Sequence, residues 1–191
     1  MEPTTFDPTP ESPSQRPAEI ARARAYLAEG EELLERGKVE EALALLEEAV
    51  RLDPRYAPAR NKLGVCHVRR GELELARREF VAAIEIDPRF APAYSNLGNL
   101  HQEAGRLEEA VAAYRQALEI DPDYAIAHHN LGVVYRRMGR ISESVAHLKQ
   151  AARLEYGRGG TQAGTPRPAA RWAPLAWIGL LLLLAYFLMR R

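Results

Sequence analysis

The sequence predicts an all-α solenoid, because short signals return along its 191 residues at one fixed interval. The dipeptide Asp-Pro begins at Asp53, Asp87 and Asp121, with a step of 34 residues. A glycine keeps the same step, at Gly37, Gly71, Gly105 and Gly139. A repeat of this length indicates one supersecondary unit stacked on copies of itself.

The third unit, residues 91–124, has the clearest helical pattern. Its second half carries one apolar stripe, formed by Leu107, Ala110, Val111, Tyr114, Ala117 and Leu118. This spacing predicts an amphipathic helix. Gly105 lies where the chain turns between two helices, and Pro122 breaks the second helix before the next unit. One hairpin cannot bury its own stripe, so at least three units are expected.

The same unit also carries a recognisable motif. Its residues are, in order, Tyr94, Leu97, Gly98, His101, Ala110, Tyr114 and Pro122. This motif resembles the tetratricopeptide repeat, which has the pattern W-x2-L-G-x2-Y, A-x3-F, P. The resemblance implies a right-handed superhelical solenoid of about four helix-turn-helix repeats within residues 18–158. The four predicted repeats are 23–56, 57–90, 91–124 and 125–158.

The two end units depart from the motif. Glu29 stands at the usual leucine position of the first unit, as expected for a unit with one face toward water. The fourth unit keeps an apolar stripe of Ile141, Val145, Leu148 and Ala152. Ser144 and His147 fall elsewhere on that helix, which predicts a terminal cap with a polar outer face.

Three segments lie outside the predicted repeats. Residues 1–17 are rich in Pro, Thr and Ser and predict a disordered tail. Residues 159–172 hold Gly, Thr, Pro and Arg and predict a flexible linker. Residues 173–189 contain no charged residue and predict a transmembrane helix.

That helix would be roughly 25 Å long, somewhat short of a hydrocarbon core of ~30 Å. The predicted anchor residues are Trp172, Trp177, Leu180, Leu184 and Tyr186, with the aromatic rings suited to the headgroup region. Arginines on both sides are too balanced to set the orientation. Because the N-terminus carries no secretory signal and two residues follow the span, we expect a tail-anchored protein with cytosolic repeats.

The composition argues against most chemistry. The formal net charge is zero, so no bulk electrostatic attraction favours nucleic acid. Cys66 is the single cysteine, which excludes a disulfide framework and a thiolate metal cluster. No catalytic, metal or phosphate-binding motif is present, so we expect no enzyme activity, cofactor or metal. His67 and His101 occupy the same place in successive units, where packing is favoured over a stacked metal or pH site.

Membership of the tetratricopeptide family would imply a binding groove lined by the first helix of each repeat. The groove residues would be Asn61, Lys62, Arg69, Ser95, Asn96, Asn99, His129, Asn130 and Arg136. Together with Val65, Glu103 and Val133 they form a mildly basic surface with one carboxylate. The predicted partner is therefore a neutral or acidic protein segment.

Asn96 and Asn130 lie one repeat apart. Each amide can both donate and accept, so it can pair with the backbone of an extended peptide. This row resembles the asparagine rows of the O-GlcNAc transferase family, whose catalytic domain the sequence lacks. The alternative is that these residues are surface or capping groups of the helices.

These patterns predict a non-enzymatic, membrane-anchored scaffold that binds a protein segment in the groove and a lipid bilayer through its anchor. The alternative is a structural or assembly subunit of a membrane complex, acting through its transmembrane helix and the outer face of the solenoid.

Overall fold

The computed structural model describes residues 16–159, which form eight α-helices joined by short turns. No strand occurs within these residues. The helices are α1 (Arg16–Glu35), α2 (Val39–Leu52), α3 (Ala57–Arg69), α4 (Leu73–Ile86), α5 (Ala91–Glu103), α6 (Leu107–Ile120), α7 (Ala125–Arg137) and α8 (Ile141–Gly159).

The predicted all-α solenoid is confirmed. Helices pack most closely as the hairpins α1–α2, α3–α4 and α5–α6. Each second helix also packs against the first helix of the following unit, as α2 does on α3, α4 on α5 and α6 on α7. The apolar stripe of one unit is thus buried partly by its own hairpin and partly by its neighbour.

The turn inside each hairpin depends on glycine. Gly37, Gly71, Gly105 and Gly139 all adopt a φ between +74° and +76°. This left-handed conformation is costly for a residue with a Cβ, and it closes the end of the first helix. In the first unit, the amide of Lys38 donates to the Leu33 carbonyl at 2.9 Å, which satisfies a carbonyl at the helix end.

The turn between hairpins depends on the repeated aspartate. The Asp53 carboxylate accepts a hydrogen bond from the amide of Arg55 at 3.1 Å. Asp87 and Asp121 make the same contact two residues ahead, at 2.9 Å and 3.0 Å. An aspartate that binds the backbone in this way favours a turn, and the following proline cannot extend the preceding helix.

An aromatic ring packs beneath a glycine in each of the two middle units. The ring of Phe80 lies below Gly64, where an added Cβ would come within 2.5 Å of it. Tyr114 lies below Gly98 in the same way, at 2.6 Å. Both aromatic side chains are fully buried. The glycine of the Leu-Gly motif therefore makes room for a large core residue.

The fourth unit differs from its predicted polar cap. Ser144 is buried, whereas Ile141 and Val145 are 57% and 44% exposed. The reason is the repeat register, because Ser144 takes the place that the buried Ala110 holds in α6. That position faces the hairpin's own first helix, while Ile141 and Val145 face the side on which another unit would stack.

α1 begins at Arg16, two residues before the predicted start of the solenoid. Among residues 16–159, no helix is long and apolar enough to cross a membrane. The predicted linker beyond Gly159 and the predicted span 173–189 lie outside the described residues, and so does all but the end of the predicted tail.

Candidate functional site: the first-helix face

The first helices of successive units contact one another, as α1 does α3, α3 does α5 and α5 does α7. We call the surface they form the first-helix face. Two amide–amide hydrogen bonds link its units. Asn96 Nδ2 donates to Asn61 Oδ1 at 2.8 Å, and Asn130 Nδ2 donates to Asn99 Oδ1 at 2.9 Å. We call these four asparagines the amide ladder.

The hydrogen bonds of the amide ladder fix the direction of each amide. The Asn99 oxygen also accepts from the hydroxyl of the buried Tyr114 at 2.7 Å, so it faces the core and leaves Nδ2 for other partners. Asn96 and Asn130 each use Nδ2 within the ladder. Their Oδ1 atoms receive no hydrogen bond from a described residue and can accept one.

A pocket of about 340 Å³ opens beside the amide ladder, between α3 and α5. Apolar side chains and polar side chains both line it. The apolar lining is Val65, Val68, Phe80 and Leu100, and the polar lining is Arg69, Asn96, Asn99, Gln102 and Glu103. The site therefore combines an apolar cavity with amides that can bind a peptide backbone.

Two predicted groove residues are not on the surface. Asn61 and Ser95 are buried, because this helix position lies between neighbouring first helices. Asn61 still contributes as the acceptor for Asn96. The Ser95 hydroxyl has no hydrogen-bond partner among the described residues.

The predicted cations of the first-helix face are mostly engaged with the neighbouring unit. Lys62 forms an ion pair with Glu31 at 2.8 Å, and Arg69 donates to the Leu34 carbonyl. Glu103, the one carboxylate of the predicted groove, lines the pocket, and Glu31 adds a second carboxylate to this face. The charges here are thus more evenly balanced than the sequence predicted.

His129 and Arg136 are exposed. In the 34-residue register, the counterpart of Arg69 is not Arg136 but Arg137, which donates to the Gln102 carbonyl at 3.1 Å. The pocket residues Val68, Phe80, Leu100 and Gln102 were not among the predicted groove residues. The 34-residue register could have identified Arg137. Phe80 reaches the pocket from α4, the second helix of its hairpin, and no pattern in the sequence indicates that it lines the pocket.

His67 and His101 each bind the turn that follows their own helix. His67 Nδ1 lies 2.7 Å from a Glu72 carboxylate oxygen, and His101 Nδ1 accepts from Arg106 Nε at 3.2 Å. Burial, and then the charge of Arg106, lowers the pKa of His101. This arrangement favours the packing interpretation over a stacked metal site. In residues 16–159, no three His, Cys, Asp or Glu side chains group to hold a metal ion.

Cys66 carries no reactive thiolate at neutral pH. Its side chain is fully buried, and burial raises the pKa of the thiol to about 11. The thiol packs with the apolar core of the first two units. A buried neutral thiol of this kind behaves as a small apolar residue.

Sequence profiles of one repeat family match four stretches of the chain. Profiles described as tetratricopeptide repeat match residues 27–92, 79–112 and 127–154, and one described as TPR repeat matches 102–139. No curated protein matches the sequence.

Solved structures share the fold. The crystal structure of MamA is 25% identical with a TM-score of 0.60, and the match covers 77% of this chain and 86% of that chain. PilF of Pseudomonas aeruginosa is 29% identical with a TM-score of 0.66, covering 72% and 63% respectively. An O-GlcNAc transferase mutant of Thermobaculum terrenum is 29% identical with a TM-score of 0.58. That match covers 61% of this chain and 22% of the transferase.

The 34-residue hairpins, the glycine turns and the profile matches agree with one another. Residues 27–154 of this chain therefore belong to the tetratricopeptide repeat family.

Proposed function

We propose that the repeats form a non-catalytic scaffold that holds an extended segment of another protein along the first-helix face. One observation carries the proposal: an open pocket with an apolar lining lies directly beside the amide ladder. Pockets that pair apolar lining with a few polar groups of fixed direction are typical of binding sites.

The chemistry of the site suggests how the segment is held. Asn96 and Asn130 present amide oxygens, which accept hydrogen bonds from backbone N–H groups, and Asn99 presents N–H groups to backbone carbonyls. These contacts are indifferent to the partner's side chains. Selectivity comes from the pocket, which takes one apolar side chain between Val65 and Leu100.

In this proposal, the part of the partner segment that lies beside the pocket carries no net charge. Arg69 and Glu103 both line it, and Lys62 is already paired with Glu31. A strongly acidic segment would gain from Arg69 but would meet Glu31 and Glu103. Acidic residues in the partner are better placed toward the exposed His129 and Arg136.

A second part of the proposal concerns residues 173–189. Their uninterrupted lack of charge supports a single membrane span. Cytosolic repeats are part of the same proposal. A scaffold fixed in this way would confine its partner to the membrane surface, which raises effective concentration without any new contact. Replacing Leu181, Leu182 and Leu183 by Glu is expected to release the chain from membranes into the soluble fraction of a cell lysate. Continued sedimentation with membranes would overturn this part.

Capture of partners by the full chain tests the binding role. Asn96→Ala combined with Asn130→Ala removes two ladder amides, and Val65→Trp fills the pocket while leaving the ladder intact. We expect each variant to capture at least 10-fold less partner protein than the native chain, as measured by quantitative mass spectrometry. When only a small fraction of the partner is captured, so that capture is proportional to the association constant, that loss corresponds to about 1.4 kcal/mol of binding free energy.

Gln116→Ala combined with Gln150→Ala is the matched control, because it removes two amides from the second helices. Circular dichroism and thermal melting must show that all variants keep the native fold, since Asn96→Ala leaves the buried Asn61 oxygen unpaired. Capture unchanged by both site variants, or lost equally in the control, would contradict binding at the first-helix face.

A further inference from the structure

The last hairpin leaves apolar side chains uncovered by any described residue. Ile141 is 57% exposed and Val145 is 44% exposed, one turn apart on α8. We call the surface around these two residues the end face. It lies at the opposite end of the array from α1 and is separate from the amide ladder.

The repeat register shows what normally covers this position. Val111 stands 34 residues before Val145 and is only 7% exposed, because it packs in one cluster with Leu131, Val134 and Tyr135 of α7. Leu43 holds the same place in α2 and is buried in one cluster with Leu63 of α3. In α4 the same place is held by Arg77, whose side chain stays 48% exposed although α5 follows. The position is therefore closed in the two units where it carries an apolar residue.

The chain thus contains two closed examples of the interface that α8 leaves open. In the α6–α7 example, the covering helix presents Leu131, Val134 and Tyr135, which are spaced i, i+3 and i+4. Residues with this spacing lie on one face of a helix. From the continuity of this interface along the array, we propose that the end face binds an amphipathic helix of another protein that carries this stripe.

Charge adds a second requirement on the partner. Residues 125–158 contain six lysines and arginines but two glutamates. Arg140 pairs with Glu143 and Arg137 binds the Gln102 carbonyl, while Arg136, Lys149 and Arg153 are exposed. A helix with acidic residues flanking its apolar stripe would complement this unit, so the proposed partner is acidic.

A second copy of this chain does not meet these requirements. Its α1 would have to stack on the end face, and the counterparts of Leu131 and Val134 in α1 are Glu29 and Glu32. Both glutamates are exposed in α1, where they would press carboxylates against Val145. Glu32 is paired with Arg36 in α1, but the Glu29 carboxylate would be buried against apolar side chains, which is strongly unfavourable for a charge without a partner. Pairing of two end faces would bring two basic units together.

A labelled synthetic peptide tests the inference. The peptide carries the stripe Leu-x-x-Val-Tyr on a glutamate-rich helical background, and its binding to the full chain is followed by fluorescence anisotropy. We expect saturable binding that Val145→Glu weakens at least 10-fold. Leu75→Glu is the matched control, because Leu75 is 43% exposed but lies on α4. A peptide of the same composition with the stripe scrambled is expected not to bind.

Several results would overturn the inference. These are no saturable binding by the native chain, equal binding of the scrambled peptide, and equal loss in the Val145→Glu and Leu75→Glu chains. Dimerisation of the native chain that Val145→Glu abolishes would assign the end face to a second copy instead. The Asn96→Ala and Asn130→Ala chain is expected to bind the peptide normally, so this test stands apart from the proposed groove function.

Discussion

The second and fourth hairpins join their helices at the same place with different chemistry. In the second, Arg60 donates to the Pro54 carbonyl at 3.0 Å and forms an ion pair with Glu79 at 3.0 Å. In the fourth, His128 Nε2 lies 3.0 Å from the Pro122 carbonyl oxygen, and its Nδ1 lies 2.9 Å from Nδ1 of His147. Both hairpins therefore link their two helices at equivalent positions of the repeat. The residues that form this link can differ in their response to pH.

The surroundings assign the hydrogens of the histidine pair. Since a carbonyl only accepts, His128 Nε2 carries the hydrogen directed at Pro122, and neutral His128 must accept at Nδ1. His147 Nδ1–H is then the donor between the two rings. Burial, followed by the charges of His128 and Arg115, lowers the pKa of His147, while Glu143 opposes this effect. Glu119 also lines the pocket beside the pair.

The hairpins also differ in how far a neighbouring unit covers them. The middle units pack against a neighbouring unit on both sides, whereas the fourth exposes Val145 at the position where α7 buries Val111 of the third. This contrast shows that the contribution of a residue to stability depends on the neighbouring unit as much as on its own helix. Equivalent substitutions in different units, and a change of pH, therefore test this comparison.

The largest effect is expected from one substitution made at two equivalent positions. Val111→Glu places a carboxylate beneath α7 and should lower the free energy of unfolding by about 3–5 kcal/mol, as an uncompensated buried charge does. Val145→Glu should change it by only about 0.5 kcal/mol, because the side chain is already half in water. Urea unfolding of both chains measures the difference. Equal losses would mean that the end face is covered in solution.

An intermediate effect is expected where a glycine makes room for the core. Gly98→Ala brings a methyl group within 2.6 Å of the Tyr114 ring, and overpacking of this kind should cost about 1–3 kcal/mol. In the first unit, Gly30→Ala meets the flexible Leu46 at 3.0 Å. A gain in helix propensity of up to about 1 kcal/mol should offset that contact. Thermal melting of the two variants compares them, and a Gly98→Ala chain as stable as the Gly30→Ala chain would contradict the tight packing described.

The smallest effect is expected from pH. Because the pKa of His147 is lowered in the folded chain, the unfolded chain binds more protons below the ordinary histidine pKa of about 6.5. The stabilisation is fully present above that pH and decreases as the pH falls through it. Hydrogen exchange of α7 and α8 amides on either side of this pH should show faster opening on the acid side.

The second hairpin supplies the control for this pH experiment. His128→Arg with His147→Glu transfers the Arg60–Glu79 pair to the fourth hairpin, where neither group titrates near pH 6.5. That chain should lose less protection than the native chain on acidification. An identical pH response in both chains would rule out the histidine pair as its source.

The hairpin architecture could be predicted because its causes are local. A glycine with positive φ and an aspartate that binds the amide two residues ahead each act within a few residues, so the 34-residue period exposes them. The amide ladder could not be predicted in detail. Asn96 pairs with Asn61 and Asn130 with Asn99, at separations of 35 and 31 residues, because the contact depends on how adjacent first helices are shifted.

The direction in which the apolar stripe of α8 points could be predicted in principle, but the prediction from the sequence was wrong. Periodicity finds the stripe of Ile141 and Val145, yet it does not say whether a stripe faces the hairpin partner or the next unit. Alignment with Ala110 and Val111 separates these cases, because Ser144 then falls at the inner position. The residues that carry the pocket depend on packing across units, which no single helix pattern contains.

The most direct test of the binding role is site-specific photo-crosslinking. A photoreactive amino acid replaces Val65, which lines the pocket, in one full-length chain and the exposed Leu75 of α4 in another. Our account predicts that the Val65 position crosslinks to a segment of a partner protein and that the Leu75 position does not. Crosslinking of that partner from Leu75 but not from Val65 would contradict binding at the first-helix face.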